Sequence, residues 1–158
     1  MLGLLFCLAC SAPPPPPKTW NLTDGAIAVT GPPSVDPGGT HEFVVRWKGK
    51  PDQELRGEEA PFVVVFGDAE VTTLGGQVPR RRDVEDFRKF SQDAVRFDST
   101  GMCEQKVTLR VGQGRFVPCF SLQKVRDVPL GILLEFHMGT RCQSVEVDAR
   151  GVGPARPE

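Results

Sequence analysis

Chemistry-bearing residues are scarce in this chain. It holds two histidines, His41 and His137, and no tyrosine. No GxSxG, HExxH, Walker loop or EF-hand loop occurs. The common signatures of acyl transfer, zinc hydrolysis, phosphate cradling and calcium binding are therefore missing. No CxxC pair is present, which removes the usual clustered-thiolate zinc site. The formal net charge is −1, so no global field draws the chain to nucleic acid or to an acidic membrane surface. No apolar stretch approaches the roughly 20 residues that a membrane-spanning helix needs. Gly112-Gln113-Gly114 starts like a GxGxxG loop, but Val117 stands where the third glycine belongs. A hairpin turn explains those glycines better.

What is present is β pattern. Glycine (17) and proline (15) are frequent enough to punctuate many short strands. In His41 to Lys48, Phe43, Val45 and Trp47 share one face, while Glu42, Arg46 and Lys48 share the other with Val44. The preceding Asp36-Pro37-Gly38-Gly39 has turn chemistry. Phe62 to Phe66 is a continuous apolar run, short enough for a strand buried on both faces. Lys106 to Val111 alternates, and Gly112-Gln113-Gly114 then leads into Arg115 to Leu122 as a predicted hairpin. Gly131 to His137 and Cys142 to Ala149 form a second alternating pair around a turn at Met138 to Arg141. Ala26 to Thr30 and Ala94 to Asp98 add two weaker strands. The expected fold is all-β, an antiparallel two-sheet sandwich of about eight strands, from about residue 21 to 150. Residues 151–158 read as a flexible tail.

One stretch departs from alternation. Arg80 to Asp93 reads RRRDVEDFRKFSQD, with Val84, Phe87 and Ser91 at helical spacing and Asp83 placed to cap. It predicts a short helix or ordered loop near 80–93. Arg80, Arg81, Arg82 and Arg88 make this the candidate partner-binding loop, since guanidinium groups suit phosphates, acidic glycans and acidic proteins.

The remaining candidates are thiols and imidazoles. Cys103 and Cys142 each follow a glycine-containing turn and open a strand, so they are the expected disulfide, with Cys119 left over. Glu135 and His137 share one strand face, as metal ligands can. No third ligand is identifiable beside them, and a solvated strand face is expected, with no metal and no cofactor.

Two resemblances add to this. The Pro37-Gly38-Gly39 turn followed by Val45-Arg46-Trp47 resembles early strands of bacterial immunoglobulin-like and fibronectin-type modules. The likeness is architectural only, because the tyrosine corner and the Cys…Trp…Cys spacing of true immunoglobulin domains are absent. At the N-terminus, Leu2 to Ala9 is apolar and ends at Cys10, followed by Ser11, Ala12 and the run Pro13 to Pro17. This resembles a bacterial lipoprotein signal, residues 1–10, with a proline-rich tether over 11–20. The resemblance implies a lipidated Cys10, and Ser11 in place of Asp implies the outer membrane. The proline run favours an extended spacer on the order of 15 Å long. The expected function is a non-catalytic, lipid-anchored cell-envelope protein that binds or scaffolds an envelope protein or polymer, without nucleic acid. A surface adhesion module is the alternative. A small periplasmic hydrolase or redox enzyme using Cys119 or a histidine is the alternative from another class.

Overall fold

Alternating apolar residues carry most of the chain into strands, and those strands close over one interior. The computed structural model describes residues 15–112 and 131–149. Numbered in chain order, thirteen strands occur among these residues. A five-stranded sheet runs in the order β1 (Lys18–Asn21), β2 (Ile27–Gly31), β4 (Thr40–Lys48), β11 (Met102–Val111), β7 (Ala69–Leu74). A six-stranded sheet runs β3 (Ser34–Val35), β13 (Arg141–Ala149), β12 (Gly131–Met138), β6 (Phe62–Phe66), β9 (Phe87–Ser91), β8 (Arg80–Val84). A short ribbon pairs β5 (Glu54–Arg56) with β10 (Ala94–Arg96).

The core lies between the two large sheets. Phe43, Val45 and Trp47 of β4, with Val107, Leu109 and Val111 of β11, form one wall. Val63, Val65, Phe90, Ile132, Leu134, Phe136, Val145 and Val147 form the other. Each large apolar side chain fully buried this way contributes about 1.5–3 kcal/mol before entropy is charged against it. Trp47 and Phe136 meet with ring centroids 6.1 Å apart and planes tilted by 52°.

The indole cannot enter such a core without a partner for its N–H. Trp47 Nε1 donates to Gln105 Oε1 at 3.0 Å, and Gln105 Nε2 donates to Gln92 Oε1 at 2.6 Å. Gln92 Nε2 in turn donates to the Leu74 carbonyl. Gln105 is the buried polar residue of the described core, and this relay satisfies it.

The turns follow their sequence. Gly39 N–H donates to the Asp36 carbonyl at 3.1 Å, with Pro37 and Gly38 between and Gly38 at φ 73°. That is the proline-then-glycine arrangement of a type II turn. His41 serves this turn, since its Nε2 accepts the Asp36 N–H at 3.1 Å.

The two-sheet sandwich stands as expected, with four differences. More short strands occur than the expected eight or so, because edge strands such as Ser34–Val35 are too short to show a period. The β3–β13 pair is parallel, within an otherwise antiparallel sheet. Lys18–Asn21 is already paired with β2, so the sheet starts inside the stretch assigned to the tether. Residues 80–91 are a hairpin, not a helix or loop. Val84 and Phe87 are direct cross-strand partners flanking Glu85 and Asp86. A two-residue connection places i and i+3 opposite each other, which imitates helical spacing. The expected strand from Arg115 to Leu122, Cys119 and the tail lie outside the described residues.

Candidate functional site

The arginine cluster sits on an edge. All five residues of β8 are exposed. The β8–β9 register splits them between two faces. Arg81 and Asp83 oppose Phe90 and Arg88, and Phe90 is buried, so both lie on the inner side. Arg80, Arg82 and Val84 oppose Ser91, Lys89 and Phe87 on the outer side.

Their charges are not equally free. Arg81 bonds Asp83 at 2.7 Å and Glu70 at 3.0 Å. The hydrogen bond from Arg81 holds the Asp83 carboxyl below the usual carboxylate range, and Asp83 raises the Arg81 guanidinium in return. Arg80 pairs with Asp93 at 2.5 Å. Arg88 donates from Nη1 to the Ala69 carbonyl at 2.9 Å and is half-buried, so it is a clamp rather than a docking group. Arg82 makes no ion pair among the described residues. With Lys89 opposite it, Arg82 is the cation left for a partner.

The second candidate lies on the outer face of the same sheet, at the β12–β13 hairpin. Gly139 and Thr140 form its turn, and Gly139 takes φ 61°, which a glycine adopts without penalty. This tight connection sets Met138 opposite Arg141, His137 opposite Cys142 and Glu135 opposite Ser144. Side chains two apart on a strand share a face, so Glu135, His137 and Cys142 come together. His137 Nε2 lies 3.2 Å from Glu135 Oε1 and 3.6 Å from Cys142 Sγ. Phe62 stacks on the imidazole, centroids 4.8 Å apart and planes within 7°. Lys89 Nζ sits 4.0 Å from the Phe62 ring centroid. Glu135 and His137 each keep 26% of their side-chain surface exposed.

The expected disulfide between Cys103 and Cys142 is not formed, and both are free thiols. Cys103 opposes Trp47 in the five-stranded sheet and packs on the core. Cys142 shares the outer face of the six-stranded sheet with His137. The two side chains leave different sheets in directions that cannot bridge. Assigning Cys142 to a disulfide hides its role as the third group beside Glu135 and His137. The signal was in Glu135-Phe136-His137-Met138-Gly139-Thr140-Arg141-Cys142, where one strand ends and the next begins.

Two features of the cluster depart from those of an activated nucleophile. Burial, and then the nearby Glu135 charge, push the Cys142 thiol up, against a weaker opposing hydrogen bond with Ser144. Activated cysteines have the reverse shift. A thiol–imidazole–carboxylate relay also uses the two ring nitrogens for different partners. Here Nε2 alone faces both sulfur and carboxylate. The arrangement converges three donor atoms on one region of space instead. Cys10 and Cys119 lie outside the described residues.

Neither a protein-family model nor a curated protein matches the sequence. Among solved structures, a GH20 exo-β-N-acetylglucosaminidase from Vibrio harveyi in complex with N-acetylglucosamine aligns at 11% identity with a TM-score of 0.29. An inactive mutant of that enzyme aligns with the same values. The match covers 78% of this chain and only 18% of the enzyme's. A similarity this slight carries no argument. The class of the protein, an all-β two-sheet sandwich, rests on the strand pairing described above.

Proposed function

We propose that this chain is a non-catalytic, lipid-anchored protein of a bacterial cell envelope, whose sandwich holds an acidic envelope component. The observation that carries the reading is the placement of Arg82 and Lys89 opposite each other on an outer face beside an exposed edge strand. The apolar pair Val84 and Phe87 lies next to them on that face, while Arg80 is held by Asp93. A rigid sheet that presents cations between apolar side chains suits a partner carrying carboxylates or phosphates. The lipobox-like stretch ending at Cys10 supports the address. β1 begins at Lys18, directly after the proline run, so an anchor at Cys10 would hold the body through an edge strand of the five-stranded sheet.

The test is cross-linking in intact envelopes, comparing the natural chain with an Arg82→Ser variant. Arg80 and Arg81 stay, because their ion pairs with Asp93, Glu70 and Asp83 hold the hairpin in place. The natural chain should capture a partner that the variant loses, while the two melt alike. Equal capture by both chains removes the docking role. Mass spectrometry should find the mature chain beginning at an acylated Cys10. An unmodified peptide that includes Leu2 to Ala9 removes the anchor.

A further inference from the structure

We infer that Glu135, His137 and Cys142 form a binding site for one divalent transition-metal ion of the zinc class. The donors are a carboxylate, an imidazole and a thiol, and their ligating atoms all lie within 4.8 Å of one another. Three protein ligands of this mixed type, with a fourth position open to water, suit zinc.

Two of the three donor distances match the ion, and the sulfur and the carboxylate oxygen, within 4.8 Å of each other, draw together on binding. Zinc bonds of about 2.3 Å to sulfur, about 2.05 Å to nitrogen and about 2.1 Å to oxygen imply tetrahedral edges of about 3.6 Å for S···N and S···O and about 3.4 Å for N···O. The structure has 3.6 Å from Cys142 Sγ to His137 Nε2 and 3.2 Å from that nitrogen to Glu135 Oε1. One imidazole nitrogen facing both other donors is poor geometry for a proton relay and good geometry for a shared ion.

The scaffold is rigid where it matters. All three residues sit on one hairpin, and its two-residue turn fixes the His137–Cys142 register. Phe62 lies flat against the imidazole and limits its rotation. The order of donor softness selects the metal: thiolate and imidazole together favour zinc, cobalt or copper over magnesium and calcium. Binding releases the Cys142 proton to solvent, and the resulting thiolate, with the Glu135 carboxylate, balances the two positive charges.

The experiment uses the reduced full chain and cobalt(II) as the spectroscopic probe. One equivalent of cobalt should give thiolate-to-metal absorption, and zinc should displace it. Cys142→Ser should abolish the band and weaken zinc binding on the order of 100-fold, since it removes the softest donor. Cys103→Ser should leave both unchanged. Glu135→Gln should weaken zinc about tenfold, by loss of one ligand charge. A readout on the unaltered chain guards against variants that fail to fold. Saturating zinc should slow alkylation of Cys142, mapped by mass spectrometry, and leave Cys103 unaffected. No saturable cobalt band, a band that survives Cys142→Ser, or alkylation of Cys142 at the same rate with and without zinc each overturns the site.

Discussion

The two large sheets bury similar inner faces and present different outer ones. On the five-stranded sheet the outer face is a ladder of paired charges. Arg46 pairs with Glu104 at 3.0 Å, Arg110 with Glu70 at 2.7 Å and Lys106 with Glu42 at 3.8 Å. Thr73 donates to Thr108 at 2.7 Å between them. On the six-stranded sheet the corresponding face holds Phe62, Val64, Phe66, Phe87 and Leu133, flanked by Arg82 and Lys89 and by the Glu135–His137–Cys142 cluster. Phe66 and Phe87 meet at 5.6 Å. The first face pairs most of its charges within itself, and its Glu70 also holds Arg81 of β8. The second gathers cations, a thiol and an imidazole around apolar side chains. Alternation gives every strand an inner side, but cross-strand register decides which outer residues become neighbours.

The sharpest way to break this comparison is through the shared interior. Trp47→Ala and Phe136→Ala should each cost about 3–5 kcal/mol, read from urea unfolding. Because the two rings touch, the double variant should cost less than the sum. Strict additivity would mean that the sheets do not share one core.

Turns come next, since they set register. An alanine Cβ at Gly101, where φ is 81°, would lie 2.5 Å from the Gly49 carbonyl oxygen. Gly101→Ala should cost about 1–3 kcal/mol in thermal or urea unfolding. Gly139, at φ 61°, has open space around the same position. Gly139→Ala should therefore cost less, about 1–2 kcal/mol from the backbone alone. Equal losses would show that the crowding at Gly101 is relieved elsewhere.

The outer faces should differ by a smaller margin. Phe62→Ala removes a half-buried ring and should cost about 1–2 kcal/mol. A double-mutant cycle on Arg46 and Glu104, both more than half exposed, should give a coupling of about 0.5 kcal/mol or less. High salt should abolish that coupling and leave the Phe62 effect standing.

The smallest effect is acid sensitivity at Asp98. Its carboxylate accepts from the Thr100 hydroxyl at 2.6 Å and from the Thr100 and Met102 N–H groups at 2.8 and 3.0 Å. The Thr100 side chain first, then these backbone donors, hold its pKa below the usual value. A depressed carboxyl contributes stability above its unfolded pKa and loses it as pH falls through the folded one. Urea midpoints of the natural chain should therefore drop between about pH 4 and pH 2 more than those of Asp98→Asn.

How much of this was readable depends on the length of the pattern. Phe62–Phe66 matches its expected bounds, and His41 to Lys48 differs by one residue. These runs are long enough for period 2 to show. β8 and β9 were missed because Glu85 and Asp86 make so short a turn that a hairpin takes on helical spacing. The site was half readable: Glu135 and His137 are two apart on one strand, and any strand places them together. Cys142 needed the register across the turn. Arg88 looked like part of a basic loop until the fold aimed it at the Ala69 carbonyl.

The sequence by itself determined that the body is β, which residues line its interior and where its clearest turns fall. Those are local facts, set by alternation and by glycine and proline. Only the tertiary structure decided that Cys103 and Cys142 stay apart, that Arg81 is neutralised while Arg82 is not, and that three donors meet at one hairpin. Pairing partners come from elsewhere in the chain, and a shift of one residue in register sends every side chain of a strand to the other face.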